Sequence, residues 1–296
     1  MTVTKTVTKT VTDSPTFMKG AEVAAQMKET LQTELQALRQ RGIVPKLGIV
    51  RVGERPDDMS YERGALKRFE GLGIAVQVFE FPQDIAQEAF AAAFAEINES
   101  PDVHGILLFR PLPKHLDEEV VKKTVNPLKD VDGMSPLSVA KVFSGEPDGF
   151  APCTPSAVME MLAHYGIELA GKNVAIVGRS MVVGRPLSML MLKKDATVTL
   201  CHTKTRDMES ICRGADIVVA AAGKARMLTP AYVSPHSVVV DVGINMDAEG
   251  KLCGDVDYDA VSSTVTAISP VPGGVGAVTT SVLAKHVLKA ARLLSQ

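Results

Sequence analysis

The stretch "NVAIVGRSMVVGRP", residues 173–186, decides the fold of this chain. It begins with a run that is apolar at consecutive positions, passes through a glycine-containing turn, and continues into a helix-like segment. A strand that is apolar on both faces is typical of a parallel sheet covered by helices on both sides. The stretch therefore predicts an α/β fold, in which strands alternate with crossover helices.

Seven more short runs rich in β-branched residues repeat this pattern, and longer helix-like segments separate them. The alternation predicts parallel sheets. Two Pro- and Gly-rich stretches, residues 126–136 and 144–157, interrupt the alternation after the third run and indicate a boundary between two lobes. The eight predicted strands are residues 46–53, 74–81, 104–109, 173–178, 197–202, 216–223, 237–243 and 264–269.

This boundary divides the chain into four segments, with a cleft expected between the lobes. Thr154 is predicted to cap the helix that opens the second lobe, with Pro155 at its first position. We expect a loose N-terminal tail over residues 1–14, an α/β substrate-binding lobe over 15–150, a Rossmann-like parallel-sheet lobe over 151–278, and a C-terminal helix over 279–296 that packs back on the first lobe.

The composition argues against several classes of function. With 32 basic and 34 acidic side chains the net charge is close to −2, so neither nucleic acid nor an anionic membrane is an expected partner. The chain has no run of about 18 apolar residues that would predict a membrane span. Its four cysteines and six histidines lack metal-ligand spacing, which predicts no metal site and a reducing, cytoplasmic location. The expected partner is a small molecule.

The turn that follows residue 177 stands where α/β folds bind nucleotide phosphates. Gly178 and Gly184 would let the backbone approach a pyrophosphate, and the following helix N-terminus supplies free N–H groups. The pattern is not GxGxxG, because Ser180 replaces the second glycine and the loop is one residue longer. An ordinary strand-to-helix turn is the alternative interpretation.

The segment "CHTKT", residues 201–205, follows the next strand. NAD-binding folds usually carry an acidic residue there for the ribose 2′-hydroxyl, and this segment has none. Arg179, Thr203 and Lys204 are instead suited to a 2′-phosphate. We therefore predict NADP as the cofactor, with NAD as the alternative. Another interpretation of this segment is a solvent-exposed polar turn that binds no ligand.

Several motifs taken together resemble the methylenetetrahydrofolate dehydrogenase/methenyltetrahydrofolate cyclohydrolase family. The combination of "KDVDG", "PVPGGVG" and "GRSMVVGRP" in one chain is far more specific than a single glycine-rich loop. The resemblance implies an N-terminal folate-binding lobe, a C-terminal lobe that binds NADP in most bacterial members, and a homodimer. The matching motifs, in family order, are "VGERPDDMSY", "GILLFRPLP", "KDVDG", "PCTP", "VGRSMVVGRP", "ATVTLCHTKT", "VVDVGIN", "GDVD" and "PVPGGVG".

The resemblance also implies roles for individual residues. Tyr61 matches the tyrosine that packs on the pterin ring, and Asp132 matches the aspartate that hydrogen-bonds the amino edge of the pterin. We assign both to the catalytic site. The turn Pro272, Gly273, Gly274 matches the loop that closes over the substrate and the nicotinamide, and the cofactor positions are Gly178, Arg179, Ser180, Gly184, Thr203 and Ile244.

Two positions depart from the family pattern. The family signature continues as Tyr-x-x-x-Lys, and the lysine position holds Ala65; in the strand motif, Phe109 takes the place of a glutamine. Lys67 is no substitute, because it lies about 240° around a helix from Tyr61, whereas position 65 lies only about 40° away. Arg68 returns to the tyrosine face, but about 10 Å along the helix, and its guanidinium stays protonated.

These departures affect the two family reactions unequally. Hydride transfer needs two rings held face to face, whereas hydrolysis of the methenyl cation needs proton transfers that general acid–base groups accelerate by about 10²- to 10⁴-fold. We expect a methylenetetrahydrofolate dehydrogenase with weak or absent cyclohydrolase activity.

Three alternatives remain. A fully bifunctional enzyme could use Arg110 or an ordered water in place of the lysine, and a binding protein without turnover would show the same loops. An unrelated two-lobed oxidoreductase, of the shikimate or amino-acid type, shares the coarse pattern, but "KDVDG" and "PVPGG" argue against it.

Overall fold

The described chain, residues 14–296 of a computed structural model, forms two lobes that are each built around a parallel sheet. The tail predicted over residues 1–14 lies outside the described residues, apart from Ser14. Among the helices of residues 14–296, none combines the length and the apolar character that crossing a membrane requires.

The N-terminal lobe contains a three-stranded parallel sheet. Its central strand β2 (Lys46–Val52) pairs with β3 (Ala75–Phe81) on one side and with β4 (Gly105–Leu108) on the other. All residues of β2 after the first are buried, as expected for a strand with helices on both faces. The helices along this part of the chain are α1 (Gly20–Gln40), α2 (Pro56–Leu72), α3 (Gln87–Glu99), α4 (Glu118–Thr124) and α5 (Pro136–Ser144).

The C-terminal lobe contains a six-stranded parallel sheet with the order β1-β11-β8-β7-β5-β6. All eight strands predicted from the sequence are present. Its strands are β1 (Thr16–Phe17), β5 (Asn173–Val177), β6 (Thr197–Cys201), β7 (Ile217–Ala220), β8 (Val238–Asp241) and β11 (Ala267–Ile268), and an antiparallel pair, β9 (Asn245–Met246) and β10 (Leu252–Cys253), lies beside it. The helices are α6 (Cys153–His164), α7 (Gly184–Leu192), α8 (Met208–Arg213), α9 (Tyr258–Val261) and α10 (Thr279–Leu294).

Strand β1 was not predicted, and it crosses the expected lobe boundary. The segment 15–150 was assigned to the first lobe, yet Thr16–Phe17 pairs in parallel with β11 of the second sheet. The N–H of Met18 donates to the carbonyl of Ile268 at 2.8 Å. A strand at the edge of a sheet offers unpaired N–H and C=O groups to any segment that passes it. Two residues are too few to show an alternating pattern in the sequence.

The start of α6 also differs from the expectation. Thr154 is not the cap: the helix begins at Cys153, and Pro152 occupies the N-cap position without a side-chain hydrogen bond. The free N–H of Cys153 donates instead to Oδ1 of Asp132, at 2.8 Å. The acceptor comes from 21 residues earlier in the chain, so local sequence signals could not reveal it.

Helix α10 joins the two lobes through one apolar core. Its residues Leu283, Val287 and Leu288 are fully buried, and the helix packs against α1, α2, α6, β2 and β4. A single cluster of buried side chains runs from Ile49 in the first sheet, through α10, to Ile176 in the second sheet. The two lobes therefore share one apolar core.

His286 lies on the buried face of α10 and ties that helix to the segment that carries Asp132. Its Nδ1 lies 2.8 Å from the carbonyl oxygen of Val131, and its ring packs edge-on against Phe150 with 5.5 Å between ring centroids. Burial, together with the charges of Lys289 and Lys285, lowers the pKa of His286 to about 4, although the hydrogen bond to Val131 opposes them. The imidazole is therefore neutral at pH 7, and its Nδ1–H donates a hydrogen bond to the carbonyl oxygen of Val131.

This buried imidazole should make the protein less stable in acid. The unfolded chain binds a proton at His286 once the pH falls below about 6.5, whereas the folded chain binds it only near pH 4. The free energy of unfolding should thus fall across that window by an amount on the order of 3 kcal/mol. Urea denaturation of the wild type and of His286→Gln between pH 7.5 and pH 4.5 measures this.

The His286→Gln variant should show a shallower loss of stability with falling pH than the wild type. His236→Gln, at an exposed histidine, is the matched control and should keep the wild-type slope. Equal slopes in all three proteins would contradict the assignment of a neutral buried His286.

Candidate active site

A cleft of about 930 Å³ lies between the lobes. One wall is α2, and the other is the region of Ile244 and Leu252 in the C-terminal lobe. The first turn of α10 closes one end with Thr279 and Thr280. Of the residues predicted to form the site, Tyr61 and Ile244 both line this cleft.

Tyr61 projects from the second turn of α2 and is half-buried. Its ring packs edge-to-face against Phe109, with the centroids 5.9 Å apart and the planes at 89°. Burial raises the pKa of the Tyr61 hydroxyl, and the nearby Cys153 and Asp132 raise it further, although Thr279 opposes them. The phenol therefore stays neutral, and its hydroxyl lies in the neighbourhood of Asp132.

The two acids of "KDVDG" have separate surroundings. Asp130 is fully buried, and its carboxylate accepts hydrogen bonds from the N–H groups of Met134 and Ser135 and from the hydroxyl of Ser138. It builds the turn. Asp132 is only partly buried by comparison, and its charge lies near enough to Tyr61 to raise the pKa of that hydroxyl.

Asp132 is held at the start of α6. Burial raises the pKa of its carboxyl, whereas the hydrogen bond from the N–H of Cys153 and the charge of Arg110 lower it. Gly133, which follows, has φ of +63°, and a Cβ there would lie 2.4 Å from the carbonyl oxygen of Phe150. Position 133 therefore requires glycine for two reasons: the backbone has a positive φ, and a side chain would collide with Phe150.

Ala65 and Phe109 are both buried, at 0% and 7% exposure, and both belong to the apolar core. Ala65 lies one helical turn after Tyr61 on α2. Neither position offers a group that can donate or accept a proton. Arg68 and Lys67 line the cleft farther along the same helix.

The predicted phosphate loop between β5 and α7 is tightly folded. Gly178 has φ of +139°, and a Cβ at that position would lie 2.1 Å from the carbonyl oxygen of Ala221. A Cβ at Gly184 would lie 2.0 Å from the carbonyl oxygen of Gly178. The hydroxyl of Ser180 accepts a hydrogen bond from the N–H of Val183 at 3.0 Å. The Ser180 side chain therefore stabilises the turn, which explains why serine stands at a position that usually holds glycine.

The segment "CHTKT" forms an ordered turn beyond the end of β6. The N–H of His202 donates to the hydroxyl of Thr205 at 2.8 Å, and the N–H of Lys204 donates to Nδ1 of His202 at 3.1 Å. These bonds leave the side chains of Thr203 and Lys204 exposed, and Arg179 is exposed as well. The three predicted phosphate-binding side chains are thus open to a ligand at the carboxyl edge of the second sheet, although none of them lines the 930 Å³ cleft.

Two buried carboxylates, which sequence reasoning did not assign a role, support the loops at this edge. Asp255 accepts hydrogen bonds from the N–H groups of residues 222–224 and from the side chain of Asn245. Asp241 accepts from the N–H groups of Gly243, Asp255 and Val256, and burial raises its pKa to about 6. Glycines beside the acids in "VVDVGIN" and "GDVD" are the sequence signal, because only a residue without a side chain leaves room for the carboxylates.

The "PVPGG" turn lies between β11 and α10 and docks on the start of α1. The N–H of Gly20 donates to the carbonyl of Gly273 at 2.8 Å, and a Cβ at Gly20 would lie 2.1 Å from the carbonyl oxygen of Gly274. Pro272 and Gly273 are exposed. Pro272, Gly273 and Gly274 do not line the cleft itself. In this part of the chain, the lining begins two residues later, at Gly276.

Comparison with known proteins agrees with this arrangement. Residues 18–132 match the catalytic domain of tetrahydrofolate dehydrogenase/cyclohydrolase, and residues 152–295 match the NAD(P)-binding domain of the same family. The bifunctional protein FolD of Clostridioides difficile is 53% identical over 276 residues, which cover 93% of this chain and 96% of that protein.

Two solved structures are also similar. The bifunctional methylenetetrahydrofolate dehydrogenase/cyclohydrolase FolD of Campylobacter jejuni is 38% identical, with a TM-score of 0.91 over 95% of this chain and 99% of that one. The FolD of Trypanosoma brucei, solved with an NADP cofactor and an inhibitor, is 34% identical, with a TM-score of 0.89 over 96% and 99% of the two chains. By its sequence and its fold, the chain belongs to the tetrahydrofolate dehydrogenase/cyclohydrolase family.

Proposed function

We propose that this protein oxidises 5,10-methylenetetrahydrofolate to 5,10-methenyltetrahydrofolate, with NADP⁺ as the hydride acceptor. The observation that carries the proposal is the cleft that Tyr61 lines on one wall and Ile244 and Leu252 of the NAD(P)-binding lobe line on the other, with Asp132 near enough to Tyr61 to raise the pKa of its hydroxyl. Family membership supports the reaction, and the T. brucei relative was solved with NADP.

Each residue has a task that its surroundings allow. The neutral ring of Tyr61 offers a flat face for the pterin, and its packing on Phe109 fixes the orientation of that face. The carboxylate of Asp132 accepts hydrogen bonds from the amino edge of the pterin, while the α6 N-terminus holds it in place. The Gly178 to Gly184 turn, with Arg179, Thr203 and Lys204, would hold the cofactor, whose nicotinamide supplies the hydride acceptor.

We further propose that hydrolysis of the methenyl product is weak. Hydride transfer leaves a delocalised cation, and holding the two rings together is most of the catalytic task. Hydrolysis needs a group that takes a proton from water and gives one to a ring nitrogen. Ala65 and Phe109 place only apolar surface beside Tyr61. The absence of a lysine ammonium there also removes a like-charge repulsion with the product cation.

Full bifunctionality is the second candidate, and the names of the relatives favour it. The C. difficile and C. jejuni proteins are both called bifunctional, at 53% and 38% identity. Arg110 is the side chain of this chain that supports such an activity best, because its charge lies close enough to Asp132 to lower the pKa of that carboxyl. A guanidinium would orient water or stabilise charge and would not act as a base.

A homodimer and a cytoplasmic location complete the proposal. The dimer rests on the family resemblance, and light scattering of the purified protein tests it. All four cysteines are buried and unpaired, which supports a reducing compartment.

A paired assay separates the two candidates. The purified protein should reduce NADP⁺ when 5,10-methylenetetrahydrofolate is supplied, and it should leave the decay of 5,10-methenyltetrahydrofolate close to the spontaneous rate. Decay that the protein accelerates by 10²-fold or more would be the signature of effective acid–base catalysis and would establish the bifunctional candidate.

Restoring the two family side chains should raise hydrolysis. The variant Ala65→Lys with Phe109→Gln brings an amine and an amide next to Tyr61, and removal of the Phe109 ring frees space for them. We expect methenyl hydrolysis to increase by about 10-fold or more. Phe109→Leu with Ala65→Lys is the matched control, since it frees space without adding the amide. A double variant with a wild-type circular dichroism spectrum and no gain in hydrolysis would contradict this mechanism.

The exposed cations at the second sheet should select NADP over NAD. Hydrogen bonds to charged groups contribute about 1.5–3 kcal/mol, so Arg179→Ala with Lys204→Ala should raise the KM for NADP⁺ by about 10- to 100-fold. The KM for NAD⁺ should change little. Lys172→Ala, at the opposite end of β5, is the control. Equal effects on both cofactors would refute the role of these side chains.

A further inference from the structure

A buried ion pair joins α2 to the central strand of the first sheet. Nε of Arg51, near the end of β2, lies 3.0 Å from Oε2 of Glu62 in the second turn of α2. Both side chains are buried, at 3% and 8% exposure, and neither lines the 930 Å³ cleft. The proposed reaction uses neither of them directly, so the two buried charges call for another explanation.

The guanidinium of Arg51 connects three segments of the first lobe. Besides its contact with Glu62, its Nη1 donates to the carbonyl oxygen of Gly53 at 2.6 Å, and its Nη2 lies 2.9 Å from Oε1 of Glu80 on β3. Gly53 belongs to the loop between β2 and α2. The side chain of Glu80 is 61% exposed, and water weakens an ion pair there. The buried contact with Glu62 is therefore the one that fixes α2 against β2.

Glu62 directly follows Tyr61, and the two side chains lie about 100° apart around α2. The Glu62 carboxylate reaches β2, whereas Tyr61 borders the cleft. Because the residues of a helix move together, the attachment of Glu62 to β2 sets the rotation of α2 about its axis and hence the direction of Tyr61. Ala65, one turn farther along the helix and buried, has no polar group that could do this.

The same strand positions the side chain on which the Tyr61 ring packs. Leu108 pairs with Val50 of β2, and the N–H of Phe109 donates to the carbonyl of Val50 at 3.0 Å. Phe109 and Arg51 therefore stand side by side, one residue beyond that pair, on one face of the sheet. The ring of Tyr61 packs on Phe109 with 5.9 Å between centroids. Both the helix that carries Tyr61 and the partner of its ring are thus fixed to the end of β2.

A buried ion pair supplies direction rather than stability. The attraction between the two charges has to offset the cost of removing both from water, and apolar residues of similar volume often replace such a pair without loss of stability. A guanidinium, however, accepts a carboxylate only in its own plane and at a fixed distance. An apolar contact would let α2 slide or turn against the sheet.

We propose that Arg51 and Glu62 are positioning residues, which hold the Tyr61 ring at the angle that pterin stacking and hydride transfer require. This inference rests on the proposed function, because it takes the pterin to lie on Tyr61. Neither side chain touches the substrate, and both act through α2. Hydride transfer is sensitive to such placement, since a shift of about 1 Å in a reacting group lowers the rate by about 10²-fold.

Steady-state kinetics of Glu62→Gln test the proposal. The variant removes the buried negative charge and keeps the length of the side chain. The value of kcat/KM for 5,10-methylenetetrahydrofolate should fall by about 10- to 100-fold, whereas the KM for NADP⁺, which the other lobe is proposed to bind, should hardly change. Glu80→Gln is the matched control, because it removes the exposed carboxylate from the same arginine; it should keep the wild-type kinetics.

A double variant separates positioning from stability. Arg51→Met with Glu62→Met removes both buried charges, and it should unfold at the urea concentration of the wild type or above. It should nevertheless show the loss of kcat/KM expected for Glu62→Gln, and it decides the question if Glu62→Gln, with its unpaired arginine, fails to fold. A stable double variant with wild-type kinetics would overturn the inference. Failure of the double variant to fold would show that the pair serves stability and would overturn it as well.

Fluorine NMR reports on the ring of Tyr61 without any reaction. The chain has four tyrosines, so labelling with 3-fluorotyrosine gives four signals, and Tyr61→Phe identifies the one from position 61. In the double variant this signal should move while the other three stay, and in Glu80→Gln all four should stay. An unmoved Tyr61 signal would overturn the inference whatever the kinetics. A moved signal, in a protein whose wild type fails to oxidise the substrate, would refute the proposed reaction and leave the positioning of Tyr61 standing.

Discussion

The apolar contact of α10 with both lobes is the interaction on which the rest of the structure depends. This last helix of the chain buries Leu283, Val287 and Leu288 against elements of the first lobe and against α6 of the second. Burial of side chains of this size contributes about 1.5–3 kcal/mol each. Because both sheets share this core, the cleft has a defined width, and α2 faces Ile244 across it.

The same helix connects stability with the candidate site. His286 donates to the carbonyl of Val131, the residue directly before Asp132, and Asp132 in turn accepts from the first N–H of α6. A carboxylate at a helix N-terminus is stabilised by the free N–H groups and by the helix dipole. Asp132 therefore has a structural partner as well as its proposed pterin, and its position relative to Tyr61 follows from two fixed elements.

The polar groups of the cleft are unevenly distributed. Around Tyr61 the neighbouring side chains at positions 65 and 109 are apolar and buried, whereas the far end of α2 carries Lys67 and Arg68. Orientation of two rings needs shape and rigidity, which the apolar end offers. Proton transfer needs titratable groups at hydrogen-bond distance. The proposed loss of hydrolysis thus follows from the missing polar groups beside Tyr61, which hydride transfer does not need.

Local sequence patterns determined much of this protein. The eight apolar runs predicted eight strands, because burial on both faces leaves a continuous signature that neighbouring residues alone display. The glycines of the phosphate loop and the missing acid in "CHTKT" could also be interpreted locally, and the motif order identified the family. Tyr61 and Asp132 were named from that resemblance, and their assignment to the site stays a prediction.

Only the tertiary structure decided the features that depend on residues far apart in the chain. Strand β1 joins the second sheet across 250 residues of sequence, α6 starts at an aspartate rather than at its own threonine, and Asp241 and Asp255 hold loops that no periodicity marks. Lys28 of α1 and Arg68 of α2 likewise line one cleft only because the two helices meet in the folded protein. Periodicity and propensity describe the surroundings of a residue along the chain, whereas hydrogen bonds, caps and charge clusters form between segments that meet only after folding.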